Sequence, residues 1–343
     1  MTERSKPPTI NDVAELAGVS KRTVSRVINR SNLVNDETRA KVQAIIEQLQ
    51  FTPNRQARGL AARRSFLIGL VYDVPTLFIN NVQKGILSVC GDAGYELVVH
   101  ACHIESDTLI DDVTRFVDNT KIDGVIILPP VSEVDGVAEM LDEAGCPFVR
   151  FSSTLSSEPW KEVVTNYLPA ITDMTNHLVE LGHREMGFIS GQKNNISSQK
   201  RHETFVRTLA HHNLALPAEM IEEGAFTYDS GLKAAERLLS RERRPTAIFA
   251  ANDEMAFGVM HVAHEMGLKI PDDLSLVGFD GTPFSSFVIP ALSTIRRQTN
   301  QMARLGTQKL IAVIDEGPDA ARGFETMVSP QFVPRKSTGP APG

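Results

Sequence analysis

The sequence predicts an α/β protein: a small three-helix head of helix-turn-helix form, then a two-lobed body built on parallel sheets. Three observations point there. Positive charge gathers at the N-terminal end, where residues 1–64 carry a net +6 while the whole chain carries −7. Two helical patterns in that end are separated by only about three residues. From residue 66 onward, short β-like runs alternate with helical stretches in two successive series. At 343 residues the chain exceeds one ordinary compact domain, so two or three are expected.

Several classes are disfavoured at once. The start, "MTERSKPPTI", has no apolar core of a secretory signal, and no apolar run reaches the length of a membrane span. Cys90, Cys102 and Cys146 are widely spaced and odd in number, without zinc spacing, which fits a reducing cytoplasm. The expectation is a cytoplasmic, nucleoid-associated protein with no membrane partner. A basic head on an acidic body suggests that the head alone meets a polyanion, although a basic solvated face gives the same count.

In the head, "TINDVAELAGVS" reads as a first helix. Thr9 caps it, Asp12 completes a capping-box variant, and Val13, Leu16 and Ala17 are expected on its buried face. Gly18 suits the C-terminus and the tight turn that follows. Ser20 caps a second helix, giving helix-turn-helix spacing. At 100° per residue, Lys21, Arg22, Ser25, Arg26 and Asn29 fall in one arc of roughly 140°. Val24, Val27 and Ile28 lie opposite. One face can therefore pack on the first helix while the other offers long donors to base edges and phosphates. "NDETRAKVQAIIEQLQF" is the third helix, capped by Asn35, with Val42, Ile45, Ile46 and Leu49 as its buried stripe. Pro53 ends it. Residues 54–64 are basic and small, with Leu60 the only large apolar residue. Too short to fold alone, they can become helical on DNA, with Leu60 as a minor-groove wedge, or serve as a plain linker.

"TINDVAELAGVSKRTVSRVIN", followed by "PNRQARGL" and "IGL", resembles the head and hinge of the lactose-repressor (LacI/GalR) family of bacterial transcriptional regulators. The resemblance runs along almost the whole chain. It implies that the second helix enters the major groove, that Lys21, Arg22 and Arg26 choose bases, and that Leu60 is inserted at the operator centre. Thr9, Ser25, Asn29, Asn35 and Arg58 are counted with them as DNA contacts. Gly59 departs from the small helix-tolerant residue common there, and glycine lowers helix propensity by about 1 kcal/mol relative to alanine. The expected division is residues 1–53 for the head, 54–65 for the hinge and 66–343 for effector binding and dimerisation.

In the body, "FLIGLVYD", "YELVVHA", "GVIILP" and "PFVRF" form the first series. "EVVTN", "MGFISG", "TAIFAAND" and "LSLVGFD" form the second, with a boundary near residues 152–166. "LSTIRR" and "TMVSPQFV" let the chain cross back. The first lobe is expected at about 66–165 and 295–325, the second at about 166–292 and 326–336. Ligands in such folds bind outside the carboxyl ends of strands and between lobes. That singles out Asn166, Ser197, Arg201, Phe226, Asn252 and Asp280. A carboxylate, an amide, a guanidinium and an aromatic face suit a polyhydroxylated ring. Asn, Asp and Ser after strands are also common helix caps, and Asp253 reads as a cap or structural residue.

"LVELGHREMGFISG", "KRHETF", "AANDEMAFGVM" and "LSLVGFD" resemble the body of the same regulators, which is similar to periplasmic sugar-binding proteins. The resemblance implies that Arg201, Asn252 and Asp280 hold the effector, with Phe226 stacking and Ser197 on the same loop as the arginine. In the first lobe "VPTLFINNVQKGI" departs from the commoner pattern, leaving Phe78 as the best contact and Asp73 as a second. The expected function is a repressor of carbohydrate-utilisation genes, controlled by a sugar-like effector and acting as a homodimer on pseudo-palindromic operator DNA. A nucleobase or phosphosugar effector is the alternative; a solute-binding protein or a fused sugar enzyme is the more distant one. No phosphate loop, nucleophile elbow or metal-ligand spacing appears, so no enzyme activity, cofactor or metal is expected. The end "VPRKSTGPAPG" lacks leucine heptads of a tetramerising tail. Sedimentation at low micromolar protein should therefore give a dimer and no stable tetramer.

Overall fold

The computed structural model describes residues 8–28, 33–51, 64–193 and 195–343. Asn29, Arg58 and Leu60, with Gly59, lie outside the described residues. The chain divides into two units, Met1–Phe66 and Leu67–Gly343.

The head holds three helices: α1 (Ile10–Ala17), α2 (Lys21–Ile28) and α3 (Asp36–Gln48). Each begins on a polar cap, because the first N–H groups of a helix have no partner within it. The Asp12 carboxylate accepts from both the backbone N–H and the hydroxyl of Thr9, at 2.6 and 2.8 Å. Ser20 Oγ accepts from the Thr23 N–H, and Asn35 Oδ1 from the Thr38 N–H. Gly18 ends α1 with φ +65°, a left-handed conformation that side chains resist. Val13, Ala14, Ala17, Val24, Val27, Val42 and Phe51 form one small core. Leu16, expected inside, is 56% exposed, and Ala14 takes the buried place. The face that meets the other helices is narrow, and residue 16 lies one step outside it.

The body is two sheets of matching order. The first contains β1 (Leu67–Tyr72), β2 (Glu96–Ala101), β3 (Gly124–Ile127), β4 (Phe148–Ser152), β5 (Glu162–Thr165) and β11 (Met327–Val328), in the order β11-β5-β4-β3-β1-β2. The second contains β6 (Met186–Ser190), β7 (Ile221–Glu223), β8 (Ala247–Ala250), β9 (Ser275–Asp280), β10 (Ser293–Arg296) and β12 (Gln331–Val333), in the order β12-β10-β9-β8-β6-β7. All neighbours are parallel except the β10–β12 pair. The interior strands β3 and β8 are buried at every position, as helices on both faces require.

The helices are α4 (Leu77–Ala93), α5 (Leu109–Thr120), α6 (Val137–Glu143), α7 (Leu168–Glu180), α8 (Ile196–His211), α9 (Tyr228–Leu239), α10 (Asp253–Glu265) and α11 (Thr299–Glu316). Among the described residues no helix is long and apolar enough to cross a membrane. The chain passes between lobes three times, between β5 and α7, between β10 and α11, and between β11 and β12. The first crossing falls at the expected division near residue 165, and the later two differ from those expected. "EVVTN", grouped with the second series, supplies β5 to the first sheet, where Phe151 pairs with Val163. β10, whose last residues were expected in the first lobe, pairs with β9 and closes the second sheet. β11, expected in the second, is held in the first by Val164 N–H to Thr326 O and Asn166 N–H to Val328 O. The backbone ladder decides lobe membership here, and a two-residue strand carries no periodicity to announce it. β7, an edge strand of three residues, was not foreseen.

In the second lobe α9 and α10 approach closely enough that only glycine fits. A Cβ at Gly258 would stand 2.6 Å from the Leu232 nitrogen and the Tyr228 oxygen of α9. Both are backbone atoms and cannot swing aside. Gly258→Ala should therefore separate the helices and lower stability by about 1–3 kcal/mol, read from the urea midpoint. Gly91→Ala in α4, where nothing lies within 4 Å, should instead gain up to about 1 kcal/mol from helix propensity.

Candidate functional site

In each body sheet the strand order reverses beside the first strand of its lobe, between β1 and β3 and between β6 and β8. Helices leave on opposite faces at such a point, and the crevice at the carboxyl ends stays open. A cleft lies there. The residues just beyond the strands line it: Asp73 after β1, Pro129 and Pro130 after β3, Asn252 after β8, Asp280 closing β9, and Arg297 after β10. Thr76, Phe78 and Ile79 come from the start of α4, and Gln192, Asn195, Ser197 and Arg201 from the β6–α8 loop and α8.

Two arginines dominate the floor. Arg201 is 3% exposed, with its guanidinium carbon 3.8 Å from the centre of the Phe279 ring and 5.4 Å from that of Tyr167. Its Nη1 donates to the Ala251 carbonyl, and its buried Nε has no partner. Arg297 is 5% exposed and lies 4.1 Å over the Phe78 ring. Its Nη1 reaches Asp280 Oδ1 at 3.4 Å, and its Nε is likewise buried without a partner. Cation–π contact partly compensates a guanidinium for lost water, but it leaves the N–H edges to be satisfied by something else. Burial lowers the Arg201 pKa from its usual value, with Arg297 adding to the effect against Tyr167 and Asp280.

The amide and carboxylates are held in place by backbone. Asn252 caps α10, its Oδ1 accepting from the Met255 N–H, and its Nδ2 donates to the Phe226 carbonyl at 2.8 Å. That bond pins Phe226, whose φ of +61° is unusual for a side-chain-bearing residue. The Phe226 ring lies where a Cβ at position 191 would be, which glycine permits. Asp280 has φ +110°, and burial raises its carboxyl above the usual range against the pull of Arg297 and Arg201. Asp253, fully buried beneath, accepts from the Thr282 N–H, the Thr282 hydroxyl and the Thr294 hydroxyl at 2.7, 2.9 and 2.6 Å. Burial and the nearby Asp280 push it up to about 7. Asp73 Oδ1 accepts from the Ile104 N–H, and burial raises this carboxyl too.

Of the residues singled out by sequence, Arg201, Asn252, Asp280, Phe226, Phe78, Ser197 and Asp73 meet around this cleft. Asn166 does not: it sits at the first crossing and accepts from the Leu168 N–H at the start of α7. A residue after an edge strand is displaced from the switch point, which is where the cleft opens. Sequence reading missed Arg297, Asn195, Gln192 and the Pro129–Pro130 pair. Arg297 had the same signal as the others, a polar residue directly after a strand, but "LSTIRR" was read only as a crossing. Three bonds also bridge the lobes: Glu254 Oε1 accepts from the Leu77 N–H, Glu133 Oε2 from the Ile196 N–H, and Lys200 donates to the Ser153 carbonyl.

In the head, Lys21 and Arg22 are exposed and Ser25 and Arg26 half-buried on α2, while Val24 and Val27 face inward. Thr9 and Asn35 lie at helix starts, where the Asn35 side chain caps α3 and the Thr9 hydroxyl donates to Asp12.

Comparison with known proteins gives a consistent picture. Residues 9–54 match the model of "Bacterial regulatory proteins, lacI family", and residues 175–338 that of "Periplasmic binding protein-like domain". Catabolite control protein A of Priestia megaterium is 35% identical over 84% of this chain and 86% of its own length. The crystal structure of the Lac repressor dimer bound to operator and the anti-inducer ONPF superposes with a TM-score of 0.78, at 28% identity, covering 97% of this chain and all of that one. A complex of the transcriptional regulator CelR with cellobiose gives 0.68 at 26% identity, over 96% and 99%.

The buried carboxyl of Asp253 has a measurable signature. Its folded pKa stands above the unfolded one, so between about pH 4 and 7 the native state binds more protons. Stability should accordingly fall as pH rises through that window. Asp253→Asn should remove this component, so that urea midpoints at pH 5 and pH 7.5 differ less in the variant than in the parent.

Proposed function

Because the chain belongs to the lacI family of bacterial regulatory proteins, we propose that a small sugar-like molecule held in its cleft sets how tightly its head binds operator DNA. The protein is a DNA-binding transcriptional regulator. The observation that carries the reading of the cleft is its position: residues of both lobes line one space at the switch points of both sheets. Whatever occupies it bears on the angle between the lobes. Asn252, Asp280, Arg201 and Ser197 supply donors and acceptors for ring hydroxyls, and Phe226 and Phe78 supply apolar faces. No catalytic role is assigned to any of them.

The DNA side follows from α2. Val24 and Val27 anchor it to the rest of the head, and Lys21, Arg22, Ser25 and Arg26 are the residues assigned to the major groove. Two such heads in a two-fold dimer match a pseudo-palindrome. Phosphate contacts give salt-dependent affinity, and base-edge contacts give selectivity. An effector that fits one arrangement of the lobes better than the other shifts the balance between them. By linkage, operator binding then changes effector affinity by the same factor. The Glu254–Leu77, Glu133–Ile196 and Lys200–Ser153 bonds belong to the arrangement described here, and a change in lobe angle must break or remake them.

The test begins with an operator selected from random duplexes and binding measured by fluorescence anisotropy. Arg22→Ala should weaken that site by the equivalent of about 1–3 kcal/mol, relax preference at one base pair per half-site, and change non-specific binding far less. Unchanged affinity and preference would remove α2 from the role of reading helix. Sugars added to the same assay give the sign of the effector's action.

A further inference from the structure

Arg201 and Arg297 bring two buried guanidiniums together at one point of the cleft floor. Among the described residues no carboxylate stands within 4 Å of the Arg201 guanidinium, whose Nη1 donates to the Ala251 carbonyl. Arg297 has one long contact, 3.4 Å, to Asp280. Both are more than nine-tenths buried, both line the cleft, and the Nε of each is buried without a partner. They are also neighbours, since both guanidiniums lie within 6 Å of the same two ring centres, Phe279 and Tyr167. Among the described residues Asp280 is the one carboxylate within 4 Å of either guanidinium, and Glu133, whose Oε1 is buried without a partner, feels both from further away. The acids nearby each accept from a backbone N–H: Asp73 from Ile104, Glu133 from Ile196 and Glu254 from Leu77.

Ring hydroxyls can accept from one such guanidinium, but they do not neutralise a second. A buried charge without an opposite charge is costly, and planar guanidinium donors match the paired oxygens of a carboxylate or phosphate. Tyr167 reports the local field. Burial, the largest influence, raises its phenol, yet Arg297 and Arg201 together with hydrogen bonds to Ser197 and Thr165 make the net shift downward. A site that favours a phenolate favours other anions.

Resting on the reading that the cleft holds a sugar-like effector, we propose that this effector is anionic, a sugar acid or a sugar phosphate whose charged oxygens are held jointly by Arg201 and Arg297. Arg297 begins the β10–α11 crossing and lies over Phe78 of the first lobe, whereas Arg201 belongs to α8 of the second. An anion gripping both joins a lobe to the crossing strand, which gives its charge a direct hold on lobe geometry.

The experiment is calorimetric titration of the full-length protein with glucose and galactose, their uronates and their 6-phosphates, at low and high salt. At least one anionic probe should bind 100-fold or more tightly than its neutral parent, and more weakly at high salt. The carboxylate and phosphate arms say which anion fits. Arg297→Gln should weaken that probe 10-fold or more, while Arg297→Lys, which keeps the charge, should weaken it less. Circular dichroism verifies that both variants fold, and the wild-type panel stands without them. Neutral sugars binding as well as the anions would overturn the proposal and leave the sugar reading intact. Binding of hypoxanthine with no response to any sugar derivative would overturn both.

Discussion

Parallel strands covered by helices on both faces can present polar side chains only where they end. Nearly everything of interest in the body follows from that constraint. The central strands β3 and β8 are apolar and buried along their length, and Asp73, Asn252, Asp280 and Arg297 stand at or just beyond strand ends. The two sheets share one strand order, which brings two such sets of ends to a common cleft. The constraint also explains the strained positions. Asp280 must turn directly out of its strand and does so at φ +110°, and Phe226 is held at φ +61° by a bond from Asn252. Such conformations persist only where neighbours fix them.

The head obeys a different economy. Its core is small, and its helices are short, so each start is reinforced by a side-chain cap at Thr9–Asp12, Ser20 or Asn35. Short helices are marginal in water without tertiary contacts. The same scarcity of apolar surface lets one face of α2 carry Lys21, Arg22 and Arg26. Val24 and Val27 are fully enclosed there, and Lys21 and Arg22 stand exposed on the other side.

Much of this was legible in the residues. Alternation of β-like runs with helical segments, and polar residues after those runs, point to Arg201, Asn252, Asp280 and Phe226. The first lobe was read from a less regular stretch, yet Phe78 and Asp73 also reach the cleft. What stayed hidden was set by pairing across long separations. The membership of β5, β10 and β11 depends on which ladder each joins, and strands of two to four residues hold no pattern that chooses. Arg297 stayed hidden for a related reason: its importance comes from Phe78 and Asp280, which are distant in sequence. Leu16 shows the limit of periodicity itself, since the geometry of packing decided which side of the apolar arc was covered.

The chain's three passages between lobes have a consequence for heredity. Neither lobe is a continuous stretch of sequence. The first is completed by α11 and β11, encoded after nearly all of the second, and the second is completed by β12, encoded after the last strand of the first. A single recombination event therefore cannot carry one intact lobe into another gene, and a cut anywhere between β6 and β10 separates strands that belong to one sheet. Such a body is inherited whole, and new ligand preferences must arise by replacing side chains at strand ends rather than by exchanging lobes. The head, continuous and compact in itself, is under no such restriction. Reading and sensing can then diverge at different rates within one gene.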